Sequence, residues 1–192
     1  MNFSARIRFG WLAVMLMLGM AGTAAATESA VDRLKTGGVL LLRHASAPGF
    51  GDPAGFRIDD CSTQRNLSEA GRQQAVAIGA WLRARGISRA RVYSSQWCRC
   101  LETAELLGIG QVSPLPALNS FFQRPADRTP NLNALRGFLS DQAVQNEPLV
   151  LVTHQVTVTA LTGVFPDSGE GVVATLVENG ELGDFARLNF DD

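Results

Sequence analysis

The sequence predicts an α/β fold in three layers, a mainly parallel sheet flanked by helices. Two short, wholly apolar runs carry that expectation, Val39 to Leu42 and Leu149 to Val152. Each breaks off into a polar turn, as strands buried on both faces do. Stretches with helical spacing lie between and after them, so strand and helix alternate. No internal repeat or second-domain boundary is visible.

The first run ends in Arg43 and His44. The chain has two histidines, and the other, His154, ends the second run. In open α/β sheets, ligands bind in the crevice beyond the carboxyl ends of the strands. Two strand ends that merely face solvent would be the plain alternative, but that gives no reason for both histidines of the chain to recur in one setting.

Residues 1–26 are set aside from the fold. Arg6 and Arg8 form a positive start, Trp11 to Met20 an apolar core, and Ala24-Ala25-Ala26 a cleavage site, the pattern of a secretory signal peptide. The apolar core is short for a membrane anchor, which needs roughly 20 residues. Cleavage leaves a single domain, residues 27–192, in an exported, periplasmic protein with no stable membrane insertion. Of 17 basic and 18 acidic residues, the leader takes two arginines, leaving 15 against 18. That balance, without a basic stripe, argues against a nucleic-acid partner.

Along the domain, Ala30 to Lys35 reads as a short helix stopped by Gly37-Gly38. After the Arg43-His44 strand comes a long loop, Ser46 to Asn66, rich in Gly, Pro and Asp; its length points to a functional wall or lid. Ser68 to Arg85 is the clearest helix, with Ser68 as N-cap, Glu69 in the first turn and Ala75, Ile78, Gly79 and Leu82 on one face. Arg89 to Tyr93 reads as a strand and Gln96 to Leu107 as a helix capped by Ser94 or Ser95. Arg99 falls in its first turn, where a cation opposes the macrodipole unless the two together hold an anion. Val112 to Leu115 is a short strand, Pro116 to Pro130 irregular, and Asn131 to Ala143 helical. A helix from Val156 to Leu161 follows His154. Val172 to Val177 and Phe185 to Phe190 close the chain as antiparallel strands about Glu178-Asn179-Gly180.

Three cysteines in an exported chain allow one bridge and one spare thiol. Cys98 and Cys100 are too close in sequence to pair easily, so Cys61 is expected to pair with one of them. No cysteine spacing suggests a zinc site.

Arg43, His44, Arg99 and His154 thus form one constellation. Guanidinium forks match phosphate oxygens, and a neutral imidazole can attack phosphorus in line. The sequence resembles the histidine phosphatase superfamily, the phosphoglycerate-mutase-like proteins. The resemblance rests on Leu41-Leu42-Arg43-His44-Ala45, Asn66-Leu67-Ser68-Glu69-Ala70-Gly71-Arg72-Gln73-Gln74-Ala75, Ser94-Ser95-Gln96-Trp97-Cys98-Arg99-Cys100-Leu101-Glu102-Thr103-Ala104 and Val152-Thr153-His154. It implies His44 as nucleophile, Arg43, Arg99 and His154 on the phosphate, and a small phosphorylated substrate with no cofactor or metal.

Gln155 departs from the pattern: many members place Gly after the second histidine, and the acid phosphatase and phytase branch places Asp there as proton donor. The donor is therefore sought elsewhere, in Glu170 first and then Asp52, Asp59 or Asp60, each of which also reads as an ordinary loop carboxylate. Within the resemblance, phosphomonoesters of sugars or of the lipopolysaccharide core are the expected substrates. Phosphohistidine is the alternative, as is a phosphate-binding envelope protein without turnover.

Overall fold

The computed structural model describes residues 26–142, 145–177 and 179–190. The proposed leader therefore lies outside the described residues, apart from Ala26, and so do Ala143 and Glu178. Its elements in chain order are helix α1 (residues 26–35), strand β1 (Val39–Arg43), α2 (Glu69–Ala84), β2 (Arg91–Ser94), α3 (Cys98–Leu107), β3 (Val112–Pro114), α4 (Arg128–Gln142), β4 (Leu149–Thr153), α5 (Gln155–Thr162), β5 (Gly171–Leu176) and β6 (Leu182–Leu188).

The apolar runs are the middle of the sheet. Strand order is β3-β2-β4-β1-β5-β6, with β3, β2, β4 and β1 mutually parallel and β5 antiparallel to both neighbours. Every residue of β4, and all of β1 but Arg43, is buried. Alternation along β1 divides the core. Leu40 and Leu42 pack with Leu34 of α1, Ile78, Trp81 and Leu82 of α2, and Ala104 and Leu107 of α3. Val39 and Leu41 face Leu135 and Leu139 of α4 and Val158 of α5. The expected three layers result.

Helix α2 forms as its sequence directs: Ser68 accepts from the Gly71 amide, and the chain turns off at Gly86, with φ +86°. Gly79 lets the α3 backbone come close, since a Cβ there would sit 2.0 Å from the Leu107 carbonyl. Several boundaries differ from expectation, and three of them have a clear cause. Helix α3 begins at Cys98 because the Ser95 hydroxyl accepts from the Trp97 amide and holds the preceding residues in a turn. Helix α4 starts before Pro130, which sits in its first turn and loses no hydrogen bond there. The last strand is Leu182–Leu188, so Phe190 leaves the sheet and packs edge-on against Trp81.

The long loop after β1 is a strap laid across the carboxyl ends of the strands. A 3-10 turn, Cys61–Thr63, interrupts it, and a disulfide joins Cys61 to Cys98 at the start of α3. Cys100 is free and buried. Among the described residues no helix is long and apolar enough to cross a membrane.

Candidate active site

Register brings the two histidines together. Arg43 lies opposite Thr153 in the β1–β4 ladder, so His44 and His154 are the next residues of adjacent parallel strands. The His44 amide donates to the Thr153 carbonyl, and the imidazole centroids are 5.6 Å apart. Ser95 directly follows β2, the next strand over, and Arg99 enters from the first turn of α3. Arg43, His44, Arg99 and His154 all line one cleft of about 300 Å³.

The hydrogen bonds set both tautomers. His44 Nδ1–H donates to the Ala45 carbonyl at 2.8 Å, leaving the lone pair on Nε2. The Ser95 hydroxyl already donates to Asn119 Oδ1, so it accepts from His154 Nε2–H at 2.9 Å, and His154 keeps its lone pair on Nδ1. Burial first, then the Arg99 cation, pushes the His44 pKa down to about 3, and the same causes hold His154 well below the usual range. Both rings are neutral at any ordinary pH.

Arg99 connects them. Its Nε donates to His44 Nε2 at 3.2 Å, and Nη2 lies 3.5 Å from His154 Nδ1. These two donors are one edge of the guanidinium, aimed at the two lone pairs. The other edge is taken by Asp52: Nη1 donates to Oδ1 at 2.7 Å and Nη2 to Oδ2 at 3.1 Å. The two side chains are only 3% and 4% exposed. Asp52 also accepts from the Arg65 amide and from Trp97 Nε1. Its burial favours the neutral acid, but the Arg99 bonds and charge outweigh that and hold its pKa below the usual carboxylate range.

Arg43 donates through Nη1 to the Pro166 carbonyl, while its Nε is buried without a partner, an unmet donor in a residue that lines the cleft. A third arginine, Arg65, lines the same wall. Sequence reading passed over it; the signal was an arginine directly before the Asn66-Leu67-Ser68 start of α2. The remaining motif residues hold the loop after His44. A Cβ at Gly71 would meet the Ser46 carbonyl at 2.0 Å, Gln74 accepts from the Ser46 amide, and Thr103 accepts from the Ala45 amide while donating to the Arg99 carbonyl.

Glu170 reaches the site through its backbone alone. The chain does return to the site where β5 begins: the Glu170 carbonyl accepts from the Arg43 amide, and Ser168 lines the cleft. The side chain, however, turns away. It accepts from the Asp167 amide at 2.7 Å, pairs with Arg187 at 3.0 Å, and lines a separate hollow with Gln74 and Phe190. Asp60 caps the 3-10 turn and pairs with Arg57, and Asp59 is exposed in the loop. Asp52 is the one carboxylate among the described residues lining the cleft. Of the residues brought together, then, Arg43, His44, Arg99 and His154 meet, and Glu170 does not join them. Among the described residues no cluster of His, Cys, Asp or Glu is placed to hold a metal ion.

Residues 39–120 match the family model described as histidine phosphatase superfamily, branch 1. Over that stretch the chain is similar to the histidine phosphatase superfamily. The match spans the first histidine, Arg65, the α2 motif and Arg99. No curated protein matches the chain in sequence. Solved structures share the fold. The protein histidine phosphatase SixA complexed with tungstate aligns with a TM-score of 0.55 at 19% identity, over 78% of this chain and 96% of that one. Mycobacterial glucosyl-3-phosphoglycerate phosphatase with inorganic phosphate gives 0.55 at 15% identity, over 81% and 97%. Phosphoserine phosphatase of Entamoeba histolytica in complex with 3-phosphoglyceric acid gives 0.51 at 13%, over 80% and 98%. At these identities the likeness is one of fold.

The site thus has a neutral nitrogen lone pair on His44 and a guanidinium edge beside it. A phosphoryl group bound between His44 and His154 would replace both imidazoles as acceptors for Arg99. The charge that spreads over its oxygens during transfer would then meet fixed donors in a shielded site.

Proposed function

We propose that this protein is an exported phosphatase that hydrolyses small phosphomonoesters through a phosphohistidine at His44. The observation that carries the reading is the Arg99 edge aimed at His44 Nε2 and His154 Nδ1 while Asp52 occupies the opposite edge. His44 Nε2 attacks phosphorus, the bond from phosphorus to the ester oxygen breaks, and Arg43, Arg99 and His154 bind the transferring group. Water then attacks the phosphohistidine, the N–P bond breaks, and His44 and inorganic phosphate are released. The arginines meet the phosphoryl charge in this scheme, and no metal is required.

The leaving oxygen needs a proton. Asp52, ionised by Arg99, has none to give, but a phosphomonoester with its second pKa near about 6 carries its own below that pH. Sugar phosphates, including those of the lipopolysaccharide core, suit an enzyme outside the cytoplasm. Export itself rests on the leader read in residues 1–26 and is supported by the Cys61–Cys98 bridge, which persists in oxidising compartments.

Phosphohistidine hydrolysis is the second reading. It is favoured by the lack, among described residues, of a free carboxyl group in the cleft, since an imidazole leaving group needs less help than an alkoxide. Phosphate release from 4-nitrophenyl phosphate by the mature protein, with and without a chelator, tests the common claim. Chelator-resistant release lost in Arg99→Ala supports it, and phosphate binding without any release would mark a binding protein instead.

A further inference from the structure

The cleft has an unusual rim. Phe50, on the strap, is 89% exposed, and Phe122, after β3, is 44% exposed, yet the two rings meet edge to face with centroids 5.0 Å apart. Both line the cleft that holds His44 and Arg99. Large apolar side chains left open to water beside a site mark binding rather than folding. Their near neighbours show the contrast: Phe121 is buried, and Phe56 packs on Trp97.

The pair is also braced. Gln123 accepts from the Asp52 amide at 2.9 Å and donates to the Asp52 carbonyl at 3.2 Å, a double clamp between the segments that carry Phe50 and Phe122. Asp52 in turn is fixed to Arg99, so the rim and the guanidinium form one rigid unit. The rest of the wall away from the arginines is uncharged, with Ser120, Gln155 and Ser168. Of the three arginines that line the cleft, Arg99 is paired with Asp52, and a bound phosphate dianion takes up the charges of the other two, Arg43 and Arg65.

We propose that Phe50 and Phe122 form a leaving-group subsite that takes an uncharged, hydroxyl-bearing ring, the class of a pyranose monophosphate, and disfavours leaving groups with a second negative charge. This rests on the phosphatase reading of the cleft. A pyranose offers a C–H face to the aromatic rings and hydroxyls to the serine and glutamine rim, whereas a carboxylate finds no spare cation.

Glucose 6-phosphate, glycerol 3-phosphate and 3-phosphoglycerate share a primary alkoxide leaving oxygen and so isolate the subsite. The expected wild-type kcat/KM for glucose 6-phosphate exceeds that for glycerol 3-phosphate by about fivefold or more, with 3-phosphoglycerate lowest. In the Phe50→Ala/Phe122→Ala double variant the first ratio falls toward one, and Phe50→Trp retains it. A ratio unchanged in the double variant, or 3-phosphoglycerate as the best ester, overturns the proposal. Calorimetric affinities supply the same ratios if turnover is absent. Inorganic phosphate titrated in parallel separates the two claims: failure to bind it overturns the phosphate cleft itself, while binding with unchanged ester ratios overturns the subsite alone.

Discussion

Asp52 and Arg99 form a bidentate ion pair at the floor of the cleft, with both side chains almost wholly buried and the free edge of the guanidinium turned to the histidines. The carboxylate comes from the strap and the cation from α3, so the pair ties the least regular part of the chain to the most chemically committed one. Asp52 aims Arg99, and the Arg99 bonds and charge hold its carboxyl below the usual carboxylate range.

Removing the carboxylate should therefore cost stability and turnover together. Breaking a buried pair leaves an uncompensated charge, roughly 3 kcal/mol or more. Asp52→Asn is expected to lower Tm, with added inorganic phosphate restoring more of it than in wild type, because the anion re-pairs Arg99. Turnover should fall by the same factor for alkyl and aryl phosphates. A loss confined to alkyl esters, measured side by side, would instead make Asp52 the general acid.

Glu170 should behave as a structural residue. Its partner Arg187 is half exposed, so the pair contributes about 1 kcal/mol or less. Glu170→Gln is expected to leave kcat/KM within about twofold for both ester types. A loss larger than tenfold on alkyl phosphates would return it to the chemistry.

The sheet and the histidines were readable because strand-end position is set by hydropathy, and hydropathy is written in the residues. The buried runs of β1 and β4 located His44 and His154, and the misplaced charge of Arg99 singled out the side chain that lies between them. Side-chain direction off a turn is not written that way. Glu170 was traced correctly to the cleft by its backbone, but the Asp167 amide and Arg187, 17 residues away, draw its carboxylate to the other side. Asp52 and Arg65 depend on how the Ser46 to Asn66 strap folds back, and that is fixed by the Cys61–Cys98 bridge and long-range hydrogen bonds rather than by local pattern.

The buried histidines make stability depend on pH in a definite direction. His44 titrates near 3 when folded and near about 6.5 when unfolded, so the unfolded state binds the extra proton in between. His154 is shifted the same way. Stability is thus full above about pH 6.5 and is lost on acidification toward 3, at up to about 1.4 kcal/mol per pH unit for each histidine. Denaturant unfolding between pH 7 and 4.5, without phosphate, measures the slope. His44→Asn should reduce it, and a slope unaltered by that change would contradict the neutral, desolvated ring.

The bridge from strap to α3 closes a loop across 37 residues. In the chain-entropy model that stabilises by about 3–4 kcal/mol. Cys61→Ser should lower Tm and, by loosening the strap that carries Asp52 and Phe50, raise KM more than it lowers kcat. An unchanged KM at a temperature where the variant is folded would mean that Asp52 holds the strap unaided.

The central claim is that His44 carries the phosphoryl group. Wild-type protein mixed with a rapidly cleaved aryl phosphate and quenched in alkali, where phosphohistidine survives, should yield one phosphorylated peptide on digestion and mass spectrometry, with the group on His44. His154→Ala should still form it at a reduced rate, and His44→Ala should form none and lose turnover. Phosphate on another residue, or near-normal turnover in His44→Ala, would contradict the account.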